Sequence, residues 1–271
     1  MAGLADLLDR LTVAVLEAGE AALRIRSAGL AVEKKADASP VTLADREAEA
    51  LIMKHLAAVA PDVPVIAEES AAAGLVPAVG GEFFLVDPID GTKDYVKGGP
   101  DFTVNIGLVR DRVPVAGIVF APALRRLYLG SVERGAFARS VTKGTPGEAR
   151  AIRIRRLGEG APVDVVASRS HRTAETDAYI ARYDVGKLVE AGSSLKFCTV
   201  AEGRADLYPR LGQTMQWDTA AGDAVLRAAG GRVLTLAGSP LSYGPNGKSG
   251  IAAWENPWFV AVGGTEPLVS A

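Results

Sequence analysis

The chain has 271 residues, 48% of them hydrophobic, and its 30 Lys and Arg against 32 Asp and Glu leave a formal net charge of −2. That is enough for one large domain or two of about 100–150 residues, and it excludes both the basic surplus of a nucleic-acid binder and an acidic interaction tail. No apolar run reaches the roughly 18 residues that a membrane span needs, and one cysteine, Cys198, cannot close an internal disulfide, so a reducing, cytoplasmic setting is expected.

The first residues lack a basic segment followed by an apolar one, so no secretory signal is expected. Leu4, Leu7, Leu8, Leu11 and Val15 recur at helical spacing and predict an amphipathic opening helix. Lys34 to Pro40 is polar and breaks the pattern. Thr42 to Val59 reads as a second helix with Leu51, Ile52 and Leu56 on one face, ended by Pro61-Asp62. Val63 to Ala67 is a short strand that delivers Glu68-Glu69 at its end. Ala71 to Gly81, rich in Gly, Ala and Pro, reads as a loop.

The apolar run Phe83-Phe84-Leu85-Val86 predicts a buried strand ending on Asp87. Pro88 is expected to stop the ladder and turn the chain. Asp90 adds a second carboxylate three residues on, and Gly91-Thr92 opens a short helix. Thr103 to Val109, Val113 to Phe120, Arg126 to Gly130 and Gly135 to Arg139 read as antiparallel strands. The polar stretch Thr142 to Arg150 marks a boundary between an N-terminal α+β half, residues 1–145, and a C-terminal α/β half, residues 146–271. In the second half, strands at Val163 to Ala167, Lys187 to Glu190, Ala205 to Tyr208 and Arg232 to Leu236 alternate with helices at Arg172 to Arg182, Ser193 to Glu202 and Asp218 to Ala229. The alternation predicts an α/β (α+β) architecture in layers.

Two histidines, His55 and His171, are too few and too scattered for a zinc site. His55 reads as a surface or packing residue, and Cys198 as buried packing. His171 lies in the polar run Ser168 to Arg172, where ligand contact and plain loop surface are equally open.

The chemistry concentrates on carboxylates. Asp87 and Asp90 on one turn are hard oxygen donors of the kind that suit Mg²⁺. Glu68 ends its strand as Asp87 does, Asp218 starts a helix after Trp217, and Asp45 follows Thr42. Taken singly, Asp45 could complete a capping box, Asp218 could cap its helix and Glu69 could be solvated. Brought together, Glu68, Asp87, Asp90 and Asp218 would repel unless protonated or neutralised by divalent cations. Two cations at roughly 3.5–4 Å would suit an in-line displacement at phosphorus.

Asp87-Pro88-Ile89-Asp90-Gly91-Thr92, with Glu68 upstream and Trp217-Asp218-Thr219-Ala220-Ala221-Gly222 downstream, resembles the Mg²⁺-dependent, lithium-sensitive inositol monophosphatase superfamily over nearly the whole chain. Asn105 in Phe102-Thr103-Val104-Asn105-Ile106, the run Gly192 to Cys198, and Tyr208-Pro209-Arg210 resemble its 3′(2′),5′-bisphosphate nucleotidase branch. The resemblance implies a layered αβαβα, sugar-phosphatase-like fold with two sheets and the active site between the halves. It implies hydrolysis of the 3′-phosphate of adenosine 3′,5′-bisphosphate to AMP and phosphate, in sulfur assimilation. Glu68, Asp87 and the Ile89 carbonyl would hold one Mg²⁺, and Asp87, Asp90 and Asp218 a second, with a third left open. Glu68, or Thr92 backed by Asp45, would activate water. Gly91 and Thr92 would cradle the scissile phosphate, and Ser193, Lys196 and Arg210 would take the rest of the nucleotide.

An arginine grips a second phosphate bidentately, which fits Arg210, with Lys196 beside it. An inositol monophosphatase would share all the metal chemistry, and a non-catalytic sensor of metal or nucleotide would share the binding. The expected partner is a nucleotide bisphosphate rather than nucleic acid. The oligomeric state is not legible, and loose attachment to the inner face of the cell membrane stays open.

Overall fold

The computed structural model describes residues 3–29, 32–34, 40–168 and 172–268, so His171 lies outside the described residues. Helix α1 (Leu4–Ala28) is followed by two short antiparallel strands, β1 (Val32–Lys34) and β2 (Pro40–Thr42), and by α2 (Leu43–Val59). Next come β3 (Val65–Ala67), α3 (Glu68–Ala72), β4 (Glu82–Asp90) and α4 (Thr92–Val96). The antiparallel run β5 (Thr103–Arg110), β6 (Val113–Ala121), β7 (Arg126–Ser131) and β8 (Gly135–Thr142) then leads to β9 (Thr145–Pro146) and β10 (Arg150–Ile152). The remainder is β11 (Val163–Ser168), α5 (Ala174–Ile180), β12 (Val185–Ala191), α6 (Leu195–Ala201), β13 (Leu207–Arg210), α7 (Ala220–Ala228), β14 (Arg232–Thr235) and β15 (Phe259–Val262). Two 3₁₀ turns, Gln216–Asp218 and Gly250–Trp254, flank α7 and β14. No helix among the described residues is long and apolar enough to cross a membrane.

The strands form two main sheets. The larger runs β10-β8-β7-β6-β5-β4-β3 with β9 paired to β8, and the smaller runs β12-β11-β13-β15-β14. Period-two alternation divides β4 between two cores. Phe84 and Val86 face Leu8, Leu11 and Val15 of α1 and Ile52 and Leu56 of α2. Phe83 and Leu85 face the layer of α6 and α7, through a cluster that also takes in Val166, Tyr208 and Phe259 of the smaller sheet. On that sheet's far side, Val163, Val165 and Ala167 pack on Tyr179 and Ile180 of α5. The order of layers is therefore α1/α2, large sheet, α6/α7, small sheet, α5, as the five-layer expectation had it.

Some expected boundaries move. Pro88 does not end its strand: β4 continues to Asp90, with Asp87 opposite Asn105, Asp90 opposite Thr103 and a register shift between them. A proline that cannot donate is accommodated in that irregularity, where β4 carries one residue more than β5 between the two aspartates. The helix expected from Ser193 begins at Leu195, because Ser193 is held at φ 50°. The helix expected over Arg172 to Arg182 is confined to Ala174–Ile180, with the Thr173 hydroxyl accepting the Thr176 N–H at 3.2 Å as its cap. The helix expected from Asp218 is a 3₁₀ turn followed by α7. Cys198 is buried, and burial pushes its thiol well above the usual range, in keeping with packing. His55 lies 2.8 Å from Glu17 and ties α2 to α1.

Three glycines make the contact between the large sheet and α7. Gly107, Gly117 and Gly130 are cross-strand neighbours on β5, β6 and β7. A Cβ at Gly107 would stand 2.8 Å from Ala221 N and one at Gly130 2.6 Å from Val225 Cα, while one at Gly117 would collide with Ala221 O. The neighbouring atoms are backbone and cannot rotate aside, so overpacking is expected to cost about 1–3 kcal/mol. We expect Gly117→Ala to lower unfolding stability by about that amount in urea, against a change within about 0.5 kcal/mol for Gly80→Ala, where a Cβ meets nothing within 4 Å.

Candidate active site

Strand register assembles the first pair of acids. β3 and β4 run parallel with Val65 opposite Phe84, Ile66 opposite Leu85 and Ala67 opposite Val86. The next residues are Glu68, the first of α3, and Asp87, still within β4, which the register brings side by side. Their carboxyls hydrogen-bond to each other, and burial together with the charges of Glu68, Asp90 and Asp218 raises the Asp87 carboxyl well above the carboxylate range. Asp87 also accepts the Ile89 N–H at 3.1 Å. Asp90 is raised by burial, opposed by the charges of Lys196 and Arg210 and by hydrogen bonds from Ser194.

Asp218 comes from the other end of the chain. The 3₁₀ turn Gln216–Asp218 packs on β4 and β5, and the Asp218 carboxylate accepts the Met215 N–H at 2.9 Å. Asp218 thus closes the 3₁₀ turn and does not cap the helix after it, whose N-cap is Thr219. Burial and the charges of Asp90 and Glu68 push its carboxyl up to about 8.

Asp45, on the first turn of α2, is 1% exposed. Its Oδ1 lies 3.3 Å from Thr92 Oγ1, which is also 3.1 Å from the Ile89 carbonyl. A single hydroxyl proton serves one of these acceptors at a time. Gly91 precedes Thr92 at φ 92°, and a Cβ there would collide with Ser193 Oγ and stand 3.0 Å from Asp101 O, so glycine is required for both backbone and space.

These groups face a cleft of about 1370 Å³, wider than an ordinary small-molecule pocket of roughly 300–1,000 Å³. Glu68, Asp90, Gly91, Thr92, Ser193, Lys196, Arg210 and Asp218 all line it. Asp45, Asp87 and Ile89 are buried beneath its floor. The small sheet presents its carboxyl ends here, since β11, β12 and β13 are mutually parallel and end at Ser168, Ala191 and Arg210. Lys196, only 6% exposed, donates to the Ser193 carbonyl at 2.6 Å, and its ammonium stands 5.3 Å from the centre of the Tyr208 ring. Burial, aided by Arg210 and opposed by Asp90, Asp218 and Asp101, lowers it to about 8. Arg210 donates to the Gln213 carbonyl at 2.7 Å. Ser193 Oγ sits 2.7 Å from the carbonyls of both Asp90 and Asp101, tying the segment before α6 to the end of β4 and the approach to β5.

The donor set suits a hard cation: carboxylate and carbonyl oxygens only, several carboxyls held above their usual range, and Asn105 Oδ1 buried beside them with no hydrogen-bond partner. Among the described residues no three acidic, His or Cys side chains already surround one point. The fit lies in chemistry and charge, and is not a preformed cage.

Several supporting residues carry no sequence signal of their own. Glu49, buried on α2, accepts the N–H groups of Glu69 and Ser70 at 2.8 and 2.9 Å, which caps the helix that begins with Glu68. Its position twelve residues before the proline that follows α2 looks like any exposed helical glutamate. Asp101 accepts the Gly192 N–H at 2.9 Å. Asn105, named above for resemblance alone, donates to Ser194 Oγ at 3.1 Å, and Ser194 donates to the Asp218 carbonyl at 2.8 Å.

Residues 5–261 match the inositol monophosphatase family, and the chain belongs to it. The 3′(2′),5′-bisphosphate nucleotidase CysQ of Escherichia coli K12 is 41% identical over 241 residues, 88% of this chain and 94% of that one; its counterpart from Salmonella typhimurium is 39% identical over the same shares. A crystal structure of CysQ from Bacteroides thetaiotaomicron, described as a bacterial member of the family, superposes with a TM-score of 0.73 at 36% identity, covering 95% of this chain and 98% of that one. An inositol monophosphatase from Anabaena gives the same TM-score at 25% identity, over 97% and 93%.

A carboxyl that binds its proton more tightly when folded stabilises the protein at low pH and loses that contribution as pH rises through its folded value. For Asp218 the loss runs from the ordinary 3.8 to about 8. In protein stripped of metal with EDTA, Asp218→Asn is therefore expected to melt above wild type at pH 8.5, by roughly 2–4 °C per kcal/mol of repulsion removed. The advantage should vanish near pH 4. Thermal melts across that range check it, and equal melting at pH 8.5 would remove the repulsion.

Proposed function

We propose that this chain is a Mg²⁺-dependent bisphosphate nucleotidase that removes the 3′-phosphate of adenosine 3′,5′-bisphosphate, releasing AMP and phosphate, in the nucleotide recycling of sulfur assimilation. The observation that carries the reading is the pairing, in one cleft, of a carboxylate floor with two cations, Lys196 and Arg210. A plain phosphomonoesterase needs the first and has no use for a dedicated second anion site. The 41% identity to curated nucleotidases supports the same reading.

In this reading Glu68, Asp87 and the Ile89 carbonyl hold one Mg²⁺, and Asp87, Asp90 and Asp218 hold the other. Bound divalent cations supply charge neutralisation at the phosphoryl oxygens and make coordinated water more acidic. The protein does the rest. Thr92 Oγ1, with its proton directed to Asp45 or Ile89, keeps a lone pair for the proton of an attacking water. Glu68, whose carboxyl lies against that of Asp87, is the second group able to take that proton. The Gly91–Thr92 turn orients the scissile phosphate. Lys196 and Arg210 bind the 5′-phosphate, and holding it there converts remote binding energy into orientation at the reacting phosphorus.

We expect kcat/KM for adenosine 3′,5′-bisphosphate to exceed that for inositol 1-phosphate by about tenfold or more, equivalent to about 1.4 kcal/mol, in a phosphate-release assay. A preference for the inositol ester rejects the substrate assignment, and nucleotide binding without turnover of any monoester rejects the enzyme. Arg210→Ala should raise KM for the bisphosphate about tenfold while changing a simple monoester less than about twofold, because only the bisphosphate loses a charge-assisted pair. Equal effects on both would remove Arg210 from recognition of the second phosphate.

A further inference from the structure

We infer that Asn256 is the positioning residue that aims Asp218 into the site. The inference rests on the metal-holding role proposed for Asp218 above. Asn256 follows the 3₁₀ turn Gly250–Trp254 and is 7% exposed. It grips the segment before Asp218 at two consecutive peptides. Its main-chain N–H donates to the Thr214 carbonyl at 2.9 Å. The N–H of that same peptide group, on Met215, donates to Asp218 Oδ2 at 2.9 Å. One amide plane thus has Asn256 on one edge and the Asp218 carboxylate on the other, and each hydrogen bond polarises it for the other.

The side chain holds the next peptide. Asn256 Nδ2 lies 2.8 Å from the Met215 carbonyl, 3.1 Å from Thr214 Oγ1 and 3.2 Å from Thr219 Oγ1. The Met215 carbonyl can only accept, so it dictates which end of the amide is nitrogen. Thr219 in turn donates to the Gln216 carbonyl at 3.1 Å, closing the turn on both sides of Asp218. Gln216 braces the outside by exchanging two hydrogen bonds with Gly244, at 2.9 and 2.7 Å. Asp218 is the acid that the C-terminal part of the chain brings to the carboxylates of β4, so its aim depends on this frame. Asn256 needs no contact with substrate or cation to exert the effect.

The test is Mg²⁺ affinity by titration calorimetry on the full chain, with Mg²⁺ alone as the probe. Loss of an outer partner of a metal ligand typically costs about 10–100-fold in affinity, and we expect Asn256→Ala to weaken Mg²⁺ binding by about tenfold or more. In an Asp218→Asn background the same substitution should add no further loss, because the group it aims is gone. Wild-type Mg²⁺ affinity in Asn256→Ala, whatever its melting temperature, assigns Asn256 to stability alone and overturns the inference. The same holds if its effect persists undiminished beside Asp218→Asn. Wild-type affinity in Asp218→Asn itself overturns the metal-site reading instead. Should Asn256→Ala not fold, Asn256→Ser carries the same expectation, since its hydroxyl is too short to reach the Met215 carbonyl.

Discussion

Backbone lies directly on backbone where α7 crosses the large sheet, and the placement of the site follows from that contact. The row Gly107, Gly117 and Gly130 leaves no side chain between β5–β7 and the first turns of α7. The 3₁₀ turn carrying Asp218 immediately precedes α7. A methyl layer in between would lift that turn from β4 and β5 and move Asp218 away from Asp87 and Asp90. A helix interior normally meets a sheet through interlocked side chains. Here that interlocking has been given up locally so that acids separated by well over a hundred residues share one field.

The shared field works against the fold. Burial raises Asp87, Asp90 and Asp218 together, and neighbouring carboxylates add to it at Asp87 and Asp218, so the metal-free protein stores unfavourable energy beneath the cleft. Lys196 offsets part of it from the opposite wall, at the cost of its own desolvation. Sites that bind charge commonly sacrifice stability in this way, and any bound cation recovers it through linkage. The cation and the fold therefore stabilise each other in the proposed enzyme.

Two of the acids that line or underlie the cleft, Glu68 and Asp87, were legible in the sequence because they sit at the ends of apolar runs: Glu68 after Val65–Ala67, Asp87 after Phe83–Val86. Strand periodicity reveals such ends, and parallel register then places them side by side. Alternation of strands and helices made the layering legible, while the order of the five layers came from the family resemblance. Element limits were less legible. Pro88 was expected to end β4 and instead lies within it, because a shift in pairing with β5 absorbs the missing donor. Strand β15 (Phe259–Val262) was not anticipated, since four buried residues near a Trp-Glu-Asn-Pro-Trp run offer no period to read. The residues that brace the site were the hardest to see. Glu49 and Asn256 are ordinary polar residues in sequence, and their roles come from partners 20 and about 40 positions away. Such pairings exist only once the tertiary structure does.

The middle helical layer has one more consequence. Because α6 and α7 bury side chains against both sheets at once, and Ser193, just before α6, bonds to the Asp90 and Asp101 carbonyls beside the large sheet, swinging the two sheets apart like jaws would open a shared core. Rotating one against the other would shear a layer that each of them helps to bury. The cleft's lining also takes in Ala72, Ala73 and Leu75, where α3 gives way to the Gly- and Pro-containing stretch of residues 73–81, and these residues border the opening without belonging to either sheet.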